Sequence, residues 1–150
     1  MEKELVLKKV DENNFIGCFN LKLGDGQEKF VSHPIRSLAQ AYVYNKQCTP
    51  FAIYKGNIIV GYFMVIYDYE EETYNIWHMM IDETYQGKGY GSKALKLCID
   101  YIKSKPFGKS NDVILTCNID NTHAIYIYKK IGFIDTMERD EDEIIMKLVI

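Results

Sequence analysis

No run in this sequence approaches the roughly eighteen uninterrupted apolar residues of a membrane-spanning helix, so no membrane span is expected. Basic residues are also short: 18 Lys and Arg stand against 21 Asp and Glu, a net charge of −3, with no arginine-rich segment. That argues against nucleic acid as the partner, since phosphate backbones demand clustered cations. Cysteine is sparse. Cys18, Cys48, Cys98 and Cys117 lie far apart with no C-x-x-C pair, so buried free thiols, no metal and a reducing compartment, the cytoplasm, are expected. There are only three prolines and no Pro/Ser-rich linker, internal repeat or low-complexity tract, so one domain over residues 1–150 is the economical reading. The first residues, MEKELVLKKVDENN, meet acidic side chains too soon for a secretory signal.

What is present is ordinary globular composition, 47% hydrophobic and 26% charged, in a chain long enough to bury a substantial core. Glu4 to Val10 reads as a strand, followed by a short helical segment near Phe15 to Leu21. LGDGQEKFVSHP is turn-rich, and Gly24 and Gly26 mark it as a mobile loop ahead of a helix from Ser37 to Tyr44. Phe51 to Tyr54 and the apolar run Ile58 to Tyr67 form a hairpin across KGN. An acidic turn, DYEEET, leads to a strand from Tyr74 to Ile81.

After QGKGYG comes a helix whose Ala94, Leu95, Cys98, Tyr101 and Ile102 share one face. Val113 to Cys117 is a further strand. Ala124, Ile127, Tyr128 and Ile131 share a face of the next helix, which Gly132 caps. Strands around Phe133 to Glu138 and Glu143 to Val149 close the chain about RDED. Antiparallel strands, then strand–helix–strand–helix, then a hairpin make a mixed α/β sheet with a parallel crossover near its middle.

MIDETYQGKGYGSKAL carries the chemistry. Gly87, Gly89 and Gly91 stand between a strand and a helix, and Gly costs about 0.5–1 kcal/mol relative to Ala in regular structure. Such a turn suits an anion, because unpaired amides and the positive dipole end meet at the helix N-terminus. Three phosphate loops compete. A Walker loop needs Gly-Lys followed by Ser or Thr, but Gly87-Lys88 is followed by Gly89; a dinucleotide fingerprint needs a third glycine where Ser92 stands. The third pattern, Q-x-x-G-x-G/A, is matched by Gln86, Gly89 and Gly91. Downstream, NTHAIYIYKKIGF holds Asn121, Ala124, Tyr128, Gly132 and Phe133 in the order of a second signature of the same superfamily. Together the motifs resemble the GNAT acetyltransferases, which use acetyl-coenzyme A.

That resemblance implies the GNAT fold, a central, mostly antiparallel sheet whose parallel middle strands splay, flanked by helices. It implies that Met79, Met80 and Ile81 offer backbone groups to the pantetheine, that Gln86, Gly87, Lys88, Gly89, Tyr90, Gly91 and Ser92 wrap the pyrophosphate, and that Asn121 holds the arm from the other side. Tyr128 matches the family's general acid; a phenol of pKa about 10 is protonated at neutral pH and can supply a departing thiolate. Tyr126, two residues away, points elsewhere on a helix. The base stays open. His78 has a suitable ordinary pKa, near 6.5, and strand alternation puts it opposite Trp77; related enzymes place a carboxylate on this strand. Glu28, in the glycine-bearing loop, is the other candidate.

Gln27 to Tyr44 and PFAIYKGNIIVGYFM resemble bacterial spermine/spermidine acetyltransferases, implying a polyamine acceptor and, at this size, a homodimer. A polyamine is a flexible polycation, suited to spaced carboxylates such as Glu28, Asp25, Asp68 and Glu70 to Glu72, with aromatic walls to which Trp77 belongs. Another amine (a protein N-terminus, a lysine or an aminoglycoside), a non-catalytic acetyl-coenzyme A sensor and a nucleotide-binding module are the alternatives.

Overall fold

The computed structural model describes residues 4–150. Seven strands form one sheet in the order β1-β2-β3-β4-β5-β7-β6. The strands are β1 Leu5–Lys9, β2 Cys48–Lys55, β3 Ile58–Asp68, β4 Thr73–Ile81, β5 Asp112–Asn118, β6 Ile134–Asp140 and β7 Glu143–Val149. The helices are α1 Phe15–Phe19, α2 Pro34–Val43, α3 Tyr90–Lys103 and α4 Thr122–Ile131. Every neighbouring pair is antiparallel except β4 and β5. This is the mixed sheet with a parallel step near its middle that the element order implies, in the mostly antiparallel, helix-flanked form that the resemblance implies. No helix among the described residues is long and apolar enough to cross a membrane.

β3 explains why one segment reads as an unbroken apolar run. It lies between two other strands and is covered on both faces. Phe63, Val65 and Tyr67 enter a core with α3 and α4, while Tyr62, Met64 and Ile66 enter a second core with Cys18 of α1 and Ala41 of α2. Each such fully buried side chain contributes about 1.5–3 kcal/mol by leaving water. α3 supplies Ala94, Leu95, Cys98, Ile99 and Ile102 at helical spacing to the first core. In α4 the inward residues are Ala124, Ile125, Tyr128 and Ile131, so Ile125 takes the place expected for Ile127. All four cysteines are free and buried.

Two elements are longer than their residues suggest. α2 starts at Pro34 because His33 caps it, its Nδ1 accepting the Ile35 N–H at 3.1 Å, and proline is suited to the first helical position. β2 starts at Cys48 despite Pro50, whose carbonyl accepts the Val10 N–H at 3.0 Å. Gly132 ends α4, its N–H donating to the Tyr128 and Lys129 carbonyls.

Candidate active site

β4 and β5 pair only at Tyr74–Val113 and Asn75–Ile114. Beyond Asn75 the two strands are no longer paired. The cause lies one strand away. β3 pairs Val65 with Ile76 but Met64 with His78, which leaves Trp77 as an extra residue in β4. This β-bulge increases local twist and reverses the alternation of side chains. Before it, Tyr74 and Ile76 face the α3/α4 core; after it, Met80 faces the α1/α2 core.

The bulge corrects the expected opposition of Trp77 and His78. Both lie on the α2 side: Trp77 packs edge-on against Tyr44 at 5.6 Å, and His78 packs against Tyr62 at 5.0 Å. The gap holds a cavity of about 350 Å³, lined by Trp77, His78, Met79, Asn121 and Tyr128 among others. These expected residues therefore meet in one place, although they come from β4 and α4.

Tyr128 reaches the gap from α4. Burial raises its pKa above the ordinary phenol value, with lesser contributions from Cys117 and Cys98. The hydroxyl is therefore protonated at neutral pH, and no hydrogen bond holds it among the described residues. Tyr126, 63% exposed, points away. Asn121 caps α4, its Oδ1 accepting the Ala124 N–H at 3.4 Å, which leaves the amide Nδ2 as a donor at the cavity wall.

His78 is buried, and desolvation pushes its pKa down to about 4; His33 lowers it further and a hydrogen bond with the Ser32 backbone opposes the shift. It is a neutral imidazole at pH 7 and a weak base. Its Nε2 is the single buried side-chain nitrogen or oxygen without a partner among the described residues.

The glycine turn lies where β4 ends. A 3₁₀ turn, Glu83–Tyr85, leads from Asp82 to Gln86, and α3 follows. Gly87 and Gly89 adopt φ +77° and +80°, a left-handed conformation that L side chains resist, and a Cβ at either would meet nothing within 4 Å. The backbone there is bare and open. With Gly89 as N-cap, the Tyr90, Gly91 and Ser92 amides have no intrahelical acceptor, and the first α3 bond is Lys93 N–H to the Gly89 carbonyl at 3.2 Å. Lys88 lies 5.8 Å from the Tyr85 ring and adds positive charge beside the turn. The turn thus fits a pyrophosphate.

The remaining expected residues divide. Met80 points into the α1/α2 core and Tyr90 into the α3/α4 core under the Lys55 ammonium, so either could serve a ligand only through its backbone. Ile81 is half-buried and packs toward Gly91, 4.0 Å from a Cβ placed there. Glu28 sits in a single 3₁₀ turn, Gln27–Lys29, exposed and outside the cavity lining.

Long-range contacts that single-sequence reading missed tie these parts together. Gln27 and Gln86 exchange amide hydrogen bonds, Gln27 Nε2 to Gln86 Oε1 at 3.0 Å and Gln86 Nε2 to Gln27 Oε1 at 2.9 Å. Gln86 Nε2 also donates to the Ile81 carbonyl at 2.8 Å. Asp82 accepts the Lys22 N–H at 2.8 Å, and the Glu83 N–H donates to the Lys22 carbonyl at 2.9 Å. The segment expected to be a mobile loop is therefore pinned to the glycine turn. No group of three or more His, Cys, Asp or Glu able to hold a metal occurs among the described residues.

Residues 17–133 match the acetyltransferase (GNAT) family. The spermine/spermidine N(1)-acetyltransferase of Bacillus subtilis (strain 168) is 29% identical over 136 residues, spanning 85% of this chain and 86% of that protein. The spermidine N-acetyltransferase of Vibrio cholerae, solved with CoA and spermine, superimposes with a TM-score of 0.78 at 16% identity, over 97% of this chain and 95% of that one. An acetyl transferase of Salmonella typhimurium that modifies the N-terminal serine of ribosomal protein L7/L12 superimposes with a TM-score of 0.74 at 15% identity, over 98% and 95%. At these identities the solved structures speak for the fold alone, and that fold serves different acceptors.

Proposed function

Because this chain belongs to the GNAT acetyltransferase family, whose members move an acetyl group from acetyl-coenzyme A to an amine, we propose that its acceptor is a polyamine, spermine or spermidine. The observation that carries acetyl transfer to an amine is the gap between β4 and β5, which crosses the sheet and joins the Tyr128 hydroxyl on the α4 side to the α2 side. A donor on one face and an amine on the other can meet there and nowhere else in a closed sheet. The Bacillus subtilis relative supports the polyamine, since its similarity spans most of both chains.

The residue roles belong to the same proposal. The thioester of acetyl-coenzyme A supplies an activated acetyl group. The bare backbone from Gln86 to Ser92 holds the pyrophosphate, the unpaired β4 edge at Met79 to Ile81 and the Asn121 amide hold the pantetheine arm, and Tyr128 protonates the departing sulfur. Trp77 walls the amine's path. His78, neutral, is a donor or acceptor at the gap. Glu28 holds a distal ammonium from its exposed turn. The free Tyr128 hydroxyl favours turnover over a binding-only sensor. One domain over residues 1–150 is supported by the single sheet, a homodimer by Ile134 and Met137 exposed on edge strand β6, and a cytoplasmic setting by the four free thiols.

The test is coenzyme A thiol release with a panel of acceptors: spermine, spermidine, a diamine, a monoamine, a lysine peptide, an aminoglycoside and a free peptide N-terminus. Polyamines should give the highest kcat/KM. Turnover confined to peptides or aminoglycosides would overturn the polyamine reading, and coenzyme A binding without any turnover would favour the sensor.

A further inference from the structure

Glu143 begins β7 and pairs with Asn118, the last residue of β5. Along these strands Leu115, Cys117, Ile144 and Met146 enter the α3/α4 core. By alternation Thr116, Asn118 and Glu143 project from the opposite face, the α2 side. Ser32, Arg36, Gln40 and His78 line the cavity from that side, whereas Cys117 and Tyr128 reach it from the other. Glu143 thus stands at the gap on the face where the amine arrives.

The ionisable side chains lining the cavity are Arg36, His78, Cys117, Tyr128 and Glu143. Burial pushes the Cys117 thiol up to about 11, with the Glu143 charge adding to the effect, and Tyr128 and His78 are neutral at pH 7. Glu143 is the one carboxyl side chain of the lining. Neither an ion pair nor a side-chain hydrogen bond engages it among the described residues, and Asp140, its β6 partner, is exposed outside the cavity. β4 offers no carboxylate at the gap, since Trp77 and His78 stand there.

We infer that Glu143 anchors the incoming amine on the α2 side of the gap and accepts a proton from its nitrogen as the amide forms. The inference rests on the amine-acetylation reading. The acceptor enters as an ammonium and loses its first proton to water. The free amine forms a C–N bond to the acetyl carbon, and its nitrogen, now positively charged, becomes far more acidic than the parent ammonium. It gives one proton to Glu143. As the C–S bond breaks, the electron pair leaves on sulfur and Tyr128 protonates it; the Glu143 proton then returns through solvent to the Tyr128 phenolate. One amine and one thioester become one amide and one thiol.

Glu143→Gln keeps the shape and removes the charge. Its kcat/KM for the best amine should fall on the order of 10²–10⁴-fold, the range for a positioned proton acceptor. Coenzyme A affinity and the melting temperature should match the parent. Glu143→Asp should recover part of the rate. Calorimetric binding of a diamine to the coenzyme A-loaded protein should weaken about tenfold in Glu143→Gln. A Glu143→Gln rate within threefold of an active parent overturns the proton role, and diamine binding equal to the parent's overturns the anchor. A parent that loads coenzyme A, turns over no amine and yet loses diamine affinity in Glu143→Gln would reject the acetylation reading while retaining the anchor.

Discussion

Replacing Gln27 with Leu tests whether the loop before α2 and the glycine turn act as one unit. The change removes three hydrogen bonds: the two amide bonds exchanged with Gln86, and the Gly24 N–H donation to Gln27 Oε1 at 2.9 Å. A net intramolecular hydrogen bond contributes about 0.5–1.5 kcal/mol, and these partly buried ones belong at the low end. Their sum is about 1.5 kcal/mol, close to a tenfold change in an equilibrium constant. Gln86 keeps its bond to the Ile81 carbonyl, and Lys22 keeps its backbone stitches to Asp82 and Glu83. The segment from Gly24 to Val31 should therefore open about ten times more often while the sheet holds. Native-state hydrogen exchange reads this at the Phe30 and Val31 amides, which bond to the Gln27 carbonyl at 2.8 and 3.0 Å. They should exchange about tenfold faster, with the buried β3 amides as an unchanged control and the amine KM rising more than the coenzyme A affinity falls. Exchange at Phe30 and Val31 equal to the parent's would refute the claim that the clasp holds this loop.

Gly89→Val places a β-branched residue at φ +80°, so the turn must deform; coenzyme A affinity should drop severely in a protein that still folds, as titration calorimetry can measure. Tyr128→Phe retains the ring against Phe133 and removes the proton; kcat should fall on the order of 10²–10⁴-fold with coenzyme A binding little altered, and a rate within a few-fold of the parent would place the proton elsewhere. His78 is held below its unfolded pKa, so between pH 6.5 and about 4 the unfolded chain takes up a proton that the folded chain refuses. Stability should fall as pH falls through that window, by about 3 kcal/mol in all, and urea unfolding of a His78→Gln variant should lack this component. Glu28→Gln should raise the KM for spermine more than for a monoamine, and the difference should shrink with salt, because an exposed charge is screened; equal losses for both amines would exclude Glu28 from the polyamine path.

The local part of this protein is written locally. The unbroken apolar run of β3 announces a strand covered on both faces, and helical spacing announces the inward faces of α3 and α4, because burial is enforced residue by residue. Gly87 and Gly89 announce a turn with left-handed backbone in front of a helix, since few other residues tolerate it. The order of the two motifs places the loop and Tyr128 without any knowledge of distances. What the tertiary structure decided was parity and proximity. An extra residue at Trp77 reverses which face His78 and Met80 take, and only the partner strand reveals it, because a bulge is a mismatch between two strands. Glu28 was prominent by its place in the chain yet stands exposed outside the cavity, whereas Glu143 reads as no more than the first residue of the closing strand and lines it. Gln27 and Gln86 are unremarkable glutamines until the fold brings them within 3.0 Å. Contacts between positions so far apart depend on how the strands pair, and no local pattern of residue types encodes that pairing.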